Sequence, residues 1–259
     1  MSSPSVLVHR NADLLAAAAA ARLVTRLVDV QSAGRAASLV LTGGSIANQM
    51  YAALAELPAH DAVDWSGVDL WWGDERFVAA DSSDRNEAQA RSALLDRLRL
   101  DPARVHPMPA DDGAYAGDPE RAAADYAEAL ATAAQPEDHG PTPAFDILLL
   151  GVGPDGHIAS LFPERPELYD ERPTAAVRHS PKPPPTRITL TMPTLRRARE
   201  VWFVVSGADK AGPVRLALGG AGMMQLPAAG VVGTTRTLWL LDHDAAAELP
   251  PSLARPASP

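Results

Sequence analysis

An unbroken apolar segment joined directly to a glycine-rich loop is the feature that most restricts how this chain can fold. The segment Ile147–Leu150 lacks the polar alternation that is typical of a strand with one solvated face. It therefore predicts a strand covered on both sides, as in a parallel sheet between layers of helices. Ligands bind such sheets beyond the carboxyl ends of the strands. The loop that follows, residues 151–157, is thus expected at a ligand-binding edge.

His157 is presented by this loop and is the first catalytic candidate. Gly151 and Gly153 allow the chain to leave the sheet sharply, and residues 154–156 then turn it. An imidazole group, with an ordinary pKa of ~6.5, is suited to general base catalysis near neutral pH. The local pattern is equally compatible with a tight turn and a hydrogen-bonded core histidine, so the pattern alone leaves both interpretations open.

Three further loops follow predicted buried strands, and their polar residues extend the candidate site. The strands are residues 38–41, 68–72 and 201–205, and the loops are Thr42-Gly43-Gly44-Ser45, Gly73-Asp74-Glu75-Arg76 and Ser206-Gly207-Ala208-Asp209-Lys210. The carboxyl ends of parallel strands meet at one edge of a sheet. One ligand site therefore explains the four loops better than four independent turns do.

Two of these loops begin helices and favour an anion. Backbone N–H groups and the positive end of the helix dipole attract a phosphate at a helix amino terminus, and Gly43, Gly44 and Ser45 suit this role. As an isolated motif, however, a Gly-Gly-Ser turn favours a helix cap over a phosphate site. Lys210 lies in a first turn, where a cation opposes the dipole unless an anion is nearby.

The remaining candidates are charged residues near the same edge. Asp74 and Arg76 follow the carboxyl end of a predicted strand. A solvated turn with a local ion pair is the more common interpretation of such a charged run. Asn86 is interpreted as a helix cap. Arg187 follows three consecutive prolines, and rigid prolines would direct its guanidinium toward phosphate oxygens. A surface arginine on an edge strand is the alternative.

Composition limits the classes of function. The chain has 259 residues and a formal net charge of −9 without any cationic block, which argues against nucleic-acid binding. The absence of cysteine excludes disulfides and fits a reducing cytoplasm. The apolar residues 14–24 are too short to cross a membrane and predict a helix. His157 and Asp155 provide fewer ligands than a catalytic zinc requires, so no metal and no other cofactor is expected.

Several of these motifs resemble those of 6-phosphogluconolactonases. The stretch Gly-x-Gly-x-Asp-Gly-His-x-Ala-Ser-Leu-Phe-Pro is similar over its whole length, as are Trp-Gly-Asp-Glu-Arg, Pro-x-Arg-Ile-Thr-Leu-Thr and Ser-Gly-x-x-Lys. Ile158 stands where that family more usually has threonine, and the sister glucosamine-6-phosphate deaminases share the isoleucine. Thr42 replaces the first serine of the family's usual Ser-Gly-Gly-Ser phosphate loop.

The resemblance implies a doubly wound α/β fold with a mostly parallel sheet flanked by helices, similar to the glucosamine-6-phosphate deaminase and ribose-5-phosphate isomerase group. The length of the chain predicts a single domain over residues 1–249, and residues 250–259 are expected to form a disordered tail. The expected reaction is hydrolysis of 6-phospho-D-glucono-1,5-lactone to 6-phospho-D-gluconate. The enzyme would be a monomer or a small homo-oligomer that binds neither nucleic acid nor membranes.

The resemblance also implies roles for the candidate residues. His157 would be the general base, Asp155 would orient it, and Arg76 would stabilise the oxyanion or bind substrate hydroxyls. Asp74 would fix Arg76 or bind sugar hydroxyls. The residues expected to bind the 6-phosphate are Gly43, Gly44, Ser45, Arg187 and Lys210.

Two other functions remain possible on this scaffold. Glucosamine-6-phosphate deaminases continue from Gly-His-Ile-Ala with Phe-Asn-Glu-Pro, whereas this chain continues with Ser-Leu-Phe-Pro. Phe162 therefore takes the register of the deaminase glutamate, and a phenyl ring transfers no proton. A non-catalytic sugar-phosphate sensor is the second alternative, but the chain offers no basic DNA-binding segment.

Overall fold

A six-stranded parallel sheet forms the centre of the fold. The structure is a computed structural model that describes residues 4–253. Its strands are β1 (Ser5–His9), β2 (Ala37–Leu41), β3 (Val68–Trp72), β4 (Asp74–Arg76), β5 (Ile147–Leu150), β6 (Thr174–Val177), β7 (Arg187–Leu190), β8 (Glu200–Val205) and β9 (Arg236–Asp242). The spatial order in the main sheet is β1-β9-β8-β5-β2-β3.

Helices cover both faces of this sheet. The α-helices are α1 (Ala12–Ser32), α2 (Ser45–Glu56), α3 (Asn86–Ala93), α4 (Pro119–Ala133), α5 (Met192–Leu195) and α6 (Ala211–Leu218). Short 3₁₀ helices span Pro58–Ala62, Trp65–Gly67, Leu95–Arg97, Pro102–Arg104, Gly113–Tyr115, Pro136–Asp138, Pro166–Tyr169, Ala208–Lys210 and Pro227–Gly230. All four residues of β5 are buried, as a strand covered on both faces requires. The predicted doubly wound α/β fold is confirmed.

The direction of winding reverses between β2 and β5, which are neighbours in the sheet. From β2 the chain adds β3 on one side, whereas β5, β8 and β9 extend the sheet on the other. Such a reversal leaves a crevice at the carboxyl ends of the two strands, because the connections leave in opposite directions. The loops after β2 and β5 are the glycine-rich loops singled out in the sequence.

A smaller antiparallel sheet, in the order β4-β7-β6, lies beside this edge. Only Gly73 separates β3 from β4, so the charged residues after β3 belong to a strand rather than to a solvated turn. In the β4–β7 pairing Arg76 is opposite Arg187. The proline-rich residues 163–185 include β6.

Helix boundaries follow local capping signals where these exist. The N–H of Leu14 donates to Asn11 Oδ1 over 2.9 Å at the start of α1, and the N–H of Arg121 donates to Asp118 Oδ1 over 3.0 Å in α4. Helix α3 ends at Ala93, because Leu94 leaves helical geometry with φ −146°. Val105 forms a single parallel bridge to Leu70 of β3.

One apolar cluster joins the two sheets. It contains Trp71 and Leu148 from the main sheet and Ile188 from the smaller one. No helix within residues 4–253 is long and apolar enough to cross a membrane. Of the predicted tail, residues 250–253 form a turn in which the N–H of Leu253 donates to the carbonyl of Pro250 over 2.9 Å, and residues 254–259 lie outside the described part.

Candidate active site

A cleft of about 300 Å³ opens at the crevice between β2 and β5. Its lining comprises Thr42, Gly43, Gly44, Ser45, Ile46, Asp74, Arg76, Asn86, Gly151, Val152, Gly153, Pro154, His157, Ala159, Lys182, Pro183, Arg187, Val204, Val205, Ser206 and Lys210. The four loops predicted to share one edge therefore meet, and Arg187 joins them from the smaller sheet. Every predicted site residue lines the cleft except Asp155, which lies against His157.

His157 and Asp155 form a hydrogen-bonded pair, with 2.5 Å between Nδ1 and Oδ1. The Phe162 ring packs on the imidazole, with 4.5 Å between ring centroids. Burial by itself would raise the pKa of Asp155. The hydrogen bond and charge of His157, together with Lys182, outweigh burial and lower this pKa below its ordinary value. The carboxylate is thus held ionised behind the imidazole.

Gly153 is required by this pair. A Cβ at that position would lie 2.0 Å from His157 Nδ1 and 2.5 Å from Asp155 Oδ1. The loop is closed by two backbone bonds: the Gly153 N–H donates to the His157 carbonyl, and the Gly156 N–H donates to the Gly153 carbonyl, each over 2.9 Å. The glycine pattern of the sequence therefore reflects the space needed by the imidazole and the carboxylate.

The loop after β2 presents a helix amino terminus to the cleft. Gly44 caps α2 with φ 105°, a backbone conformation that favours glycine, and supplies no side-chain hydrogen bond. The first N–H groups of α2 thus remain for a ligand. Tyr51 steadies the loop, since its hydroxyl donates to the Thr42 carbonyl over 2.8 Å and accepts from the Thr42 N–H over 3.0 Å.

Asp74 is buried and contacts other residues than the sequence suggested. Its carboxylate accepts from Ser160 Oγ over 2.6 Å and from Asn86 Nδ2 over 3.3 Å, and lies 3.9 Å from Arg187 Nη1. The expectation that Asp74 fixes Arg76 is not met. Arg76 Nη1 instead donates to the Asp84 carbonyl over 2.6 Å, and Arg76 Nε is buried without a partner among residues 4–253.

The prediction that Asn86 caps a helix is wrong. Asn86 is the first residue of α3, and its side chain donates to the Asp74 carbonyl over 2.8 Å. Glu75 provides the cap, because its two carboxylate oxygens accept from the N–H groups of Asn86 (2.6 Å) and Glu87 (2.9 Å). A buried glutamate between two site residues was not recognised as a cap because it lies eleven positions before the helix in the sequence.

Arg187 is held by the proline segment, as the sequence suggested. Its Nε donates to the Pro184 carbonyl over 3.1 Å, and its Nη2 donates to the carbonyls of Lys182 (3.2 Å) and Pro183 (3.1 Å). Burial lowers the pKa of Arg187, Asp74 opposes this shift, and Arg76 adds to it. The guanidinium is thus fixed among backbone carbonyls and still faces the cleft.

Lys182 is a site residue that the sequence analysis missed. Its Nζ lies 3.7 Å from Asp155 Oδ1. Burial lowers the pKa of Lys182, Asp155 raises it, and the charges of Lys210 and Arg187 lower it further. The available signal was a lysine between two prolines, five positions before Arg187.

Lys210 ends the 3₁₀ helix that leads into α6, and its Nζ lies 2.5 Å from Asp209 Oδ2. The turn before it is anchored by Asp242, which accepts from Ser206 Oγ over 2.5 Å and from the Gly207 N–H over 3.2 Å. The cleft thus gathers four cationic side chains in a chain of net charge −9: Arg76, Lys182, Arg187 and Lys210. This local excess of positive charge suits a small anion.

No group of three or more His, Cys, Asp or Glu side chains within residues 4–253 is arranged to hold a metal ion. The polar groups of the cleft are an imidazole, a carboxylate, cations and backbone N–H groups. This set can move a proton, stabilise a developing negative charge and bind a phosphate.

Comparison with known proteins identifies the family to which this chain belongs. Residues 10–239 match the family model described as glucosamine-6-phosphate isomerases/6-phosphogluconolactonase. A 6-phosphogluconolactonase of Streptomyces coelicolor is 58% identical over 257 residues, which cover 99% of this chain and 98% of that protein.

Two solved structures share the fold of this chain. The 6-phosphogluconolactonase from Trypanosoma brucei superposes with a TM-score of 0.82 at 29% identity, covering 95% of this chain and 99% of that one. A monomeric glucosamine-6-phosphate deaminase superposes with a TM-score of 0.76 at 19% identity, covering 94% and 99% of the two chains. The deaminase comparison shows a shared fold.

Proposed function

Because this chain belongs to the glucosamine-6-phosphate isomerase/6-phosphogluconolactonase family, we propose that it hydrolyses 6-phospho-D-glucono-1,5-lactone to 6-phospho-D-gluconate. This is the second step of the oxidative pentose phosphate pathway, and the enzyme is a carboxylic ester hydrolase. The observation that carries the proposal is the His157–Asp155 pair, whose imidazole lines a cleft with four cationic side chains. We place the enzyme in the cytoplasm, which its lack of cysteine supports.

His157 acts as the general base. Asp155 accepts the hydrogen bond of Nδ1, which leaves Nε2 to take a proton from water. The water oxygen attacks the lactone carbonyl carbon and forms a tetrahedral intermediate. When the bond between that carbon and the ring oxygen breaks, the imidazolium returns the proton to the ring oxygen, and the carboxylic acid ionises. Asp155 stabilises the imidazolium between the two steps.

Arg76 stabilises negative charge on the carbonyl oxygen or binds substrate hydroxyls. Arg76 lines the cleft, so its guanidinium can donate to a ligand there. Asp74 binds a sugar hydroxyl and holds Arg187 at 3.9 Å. Ser160 and Asn86 keep the Asp74 carboxylate in place by donating to it.

The 6-phosphate binds at the other side of the cleft. Arg187 and Lys210 supply charge, and Gly43, Gly44 and Ser45 bring the amino terminus of α2. We add Lys182 to this group, because it lies near enough to Lys210 and Arg187 for their charges to lower its pKa. Binding energy from the phosphate positions the lactone carbon beside His157, since remote contacts can be used to orient the reacting atoms.

Phe162 distinguishes this site from that of a deaminase. The side chain is buried against the imidazole of His157, and the Arg187 Cζ lies 6.0 Å from the ring centroid. A phenyl ring at this position cannot exchange a proton with a sugar ring oxygen. Isomerisation with deamination therefore lacks the acid that the resemblance assigns to it.

The test is an assay on freshly generated 6-phosphogluconolactone, corrected for spontaneous opening. Hydrolysis is expected without added metal or nucleotide and in the presence of EDTA, with no ammonia released from glucosamine 6-phosphate. His157→Ala should lower kcat by roughly 10²–10⁴-fold with a modest change in KM. Ammonia release at a rate comparable to lactone opening would overturn the proposal, and a folded His157→Ala protein with near-normal kcat would remove His157 from the mechanism.

A further inference from the structure

A second cleft lies at the opposite edge of the main sheet. It has a volume of about 470 Å³ and is lined by one face of α1 together with Trp202 of β8 and Arg236 of β9. Arg236 is the first residue of β9 and is paired in register with Glu200, the first residue of β8. The other end of β8 lines the candidate active site through Val205. A six-residue strand is roughly 20 Å long, so the two clefts are separate.

Three arginines converge on this second cleft. Arg22 and Arg26 lie one turn apart on α1, and Arg236 approaches from the sheet. The buried Glu200 has both carboxylate oxygens in use: Oε1 lies 2.7 Å from Arg26 Nε, and Oε2 accepts from Trp202 Nε1 over 2.9 Å. Glu200 is not part of the cleft lining, and the carboxylate that does line the cleft, Asp29, is exposed.

The side chains of Arg22 and Arg236 make neither a hydrogen bond nor an ion pair with any other part of residues 4–253. Burial lowers the pKa of Arg22, the charge of Arg236 lowers it further, and Glu200 opposes the shift. Arg22 is partly buried and Arg236 is exposed, and because both line the same cleft their like charges repel each other. Like charges in a partly enclosed cleft are unfavourable unless an anion lies between them.

The chemistry of the cleft identifies the anion. Guanidinium groups match phosphate oxygens with paired hydrogen bonds, and two guanidiniums balance the double charge of a phosphate group. Ala18 and Ala21 contribute only methyl groups to the α1 face and so leave space beside the arginines.

We propose that this second cleft binds the phosphate group of a small anionic molecule between Arg22 and Arg236. This site does not depend on the proposed reaction, because none of its residues lines the candidate active site.

The test is a titration of the full chain with inorganic phosphate at low ionic strength, followed by two-dimensional ¹H–¹⁵N NMR. The indole N–H of Trp202, assigned with Trp202→Phe, reports the second cleft, and the backbone N–H of Gly44 reports the active site. We expect saturable shifts of the Trp202 signal. The Kd from this signal should be weaker by roughly 10-fold or more in Arg22→Ala and in Arg236→Ala.

The matched control is Arg215→Ala. The Arg215 guanidinium lies 3.0 Å from Glu248 and outside the cleft. This variant should leave the Trp202 titration unchanged. Arg22→Gln, which keeps most of the aliphatic stem, replaces Arg22→Ala if that variant does not fold. A Trp202 signal that does not saturate, or one that titrates equally in wild type and the Arg22 and Arg236 variants, would overturn the proposal. A shift of the Gly44 signal alone would also overturn the proposal, because it would show that phosphate binds at the active site and not at the second cleft.

Discussion

Gly153 is the position at which the catalytic pair leaves the least room. The glycine two residues earlier, Gly151, is a natural control, because a Cβ there would meet nothing closer than the Gly43 carbonyl at 4.0 Å. We expect Gly153→Ala to displace the imidazole of His157 and lower kcat by roughly 10²-fold or more, the scale that small misplacements of reacting groups produce.

Gly151→Ala should have a much smaller effect on kcat. Steady-state kinetics of both folded variants make the comparison, with circular dichroism to check folding. Equal kcat values for the two variants would contradict the role given to Gly153.

Asp155 should make the stability of the fold depend on pH. Its pKa is lowered in the folded state from the ordinary value of 3.8, because the hydrogen bond and charge of His157 and Lys182 outweigh burial. The stabilisation is therefore fully present above pH 3.8 and is lost as the pH falls through the lower folded pKa. The difference in free energy of unfolding between wild type and Asp155→Asn should shrink as the pH is lowered from 5 to 3.

Urea unfolding at each pH measures this difference, and Asp81→Asn, at an exposed position, is the control. A difference that grows as the solution becomes more acidic would rule out this explanation.

At the scale of elements, the end of β9 supports the turn between β8 and α6. The Asp242 carboxylate accepts from Ser206 Oγ (2.5 Å), the Gly207 N–H (3.2 Å) and the Ala245 N–H (2.8 Å), although it does not line the cleft. Asp242→Ala leaves these donors without a partner, which should lower the free energy of unfolding by about 1–3 kcal/mol. It should also raise KM for the phosphorylated lactone more than it changes kcat, because the turn carries Lys210.

The exposed Asp244, two residues further along, provides the matched variant Asp244→Ala, for which both quantities should stay near wild type. An unchanged KM in a folded Asp242→Ala protein would show that the turn keeps its shape without this anchor.

At the scale of the whole molecule, the two sheets share one core. The N–H of Leu190 in β7 donates to the Gly73 carbonyl over 2.8 Å, and Thr174 Oγ1 in β6 donates to the Ala123 carbonyl in α4 over 2.5 Å. Since Leu190 also belongs to the apolar cluster of the main sheet, we predict a single domain that unfolds in one transition.

Hydrogen exchange at increasing urea concentration tests this prediction. The amides of β7 and β8 should lose protection at the same urea concentration. Earlier loss in β7 would indicate that the smaller sheet unfolds independently.

The sequence by itself determined the elements and the position of the site along them. Apolar runs such as Ile147–Leu150 identified four strands of the main sheet, because a strand buried on both faces excludes polar residues. Since parallel strands end at one edge, the loops bearing Ser45, His157 and Lys210 could be placed together without coordinates.

Only the tertiary structure decided which polar groups touch. Ser160 and Asp74, which share a hydrogen bond, are 86 positions apart, and the pairing of β4 with β7 brings Asp74 to Arg187. The capping of α3 by Glu75, the place of Lys182 in the cleft and the meeting of Arg22 with Arg236 were likewise absent from the sequence pattern. The physical reason is that periodicity records whether a position is buried, whereas the partner of a buried polar group depends on how distant segments pack.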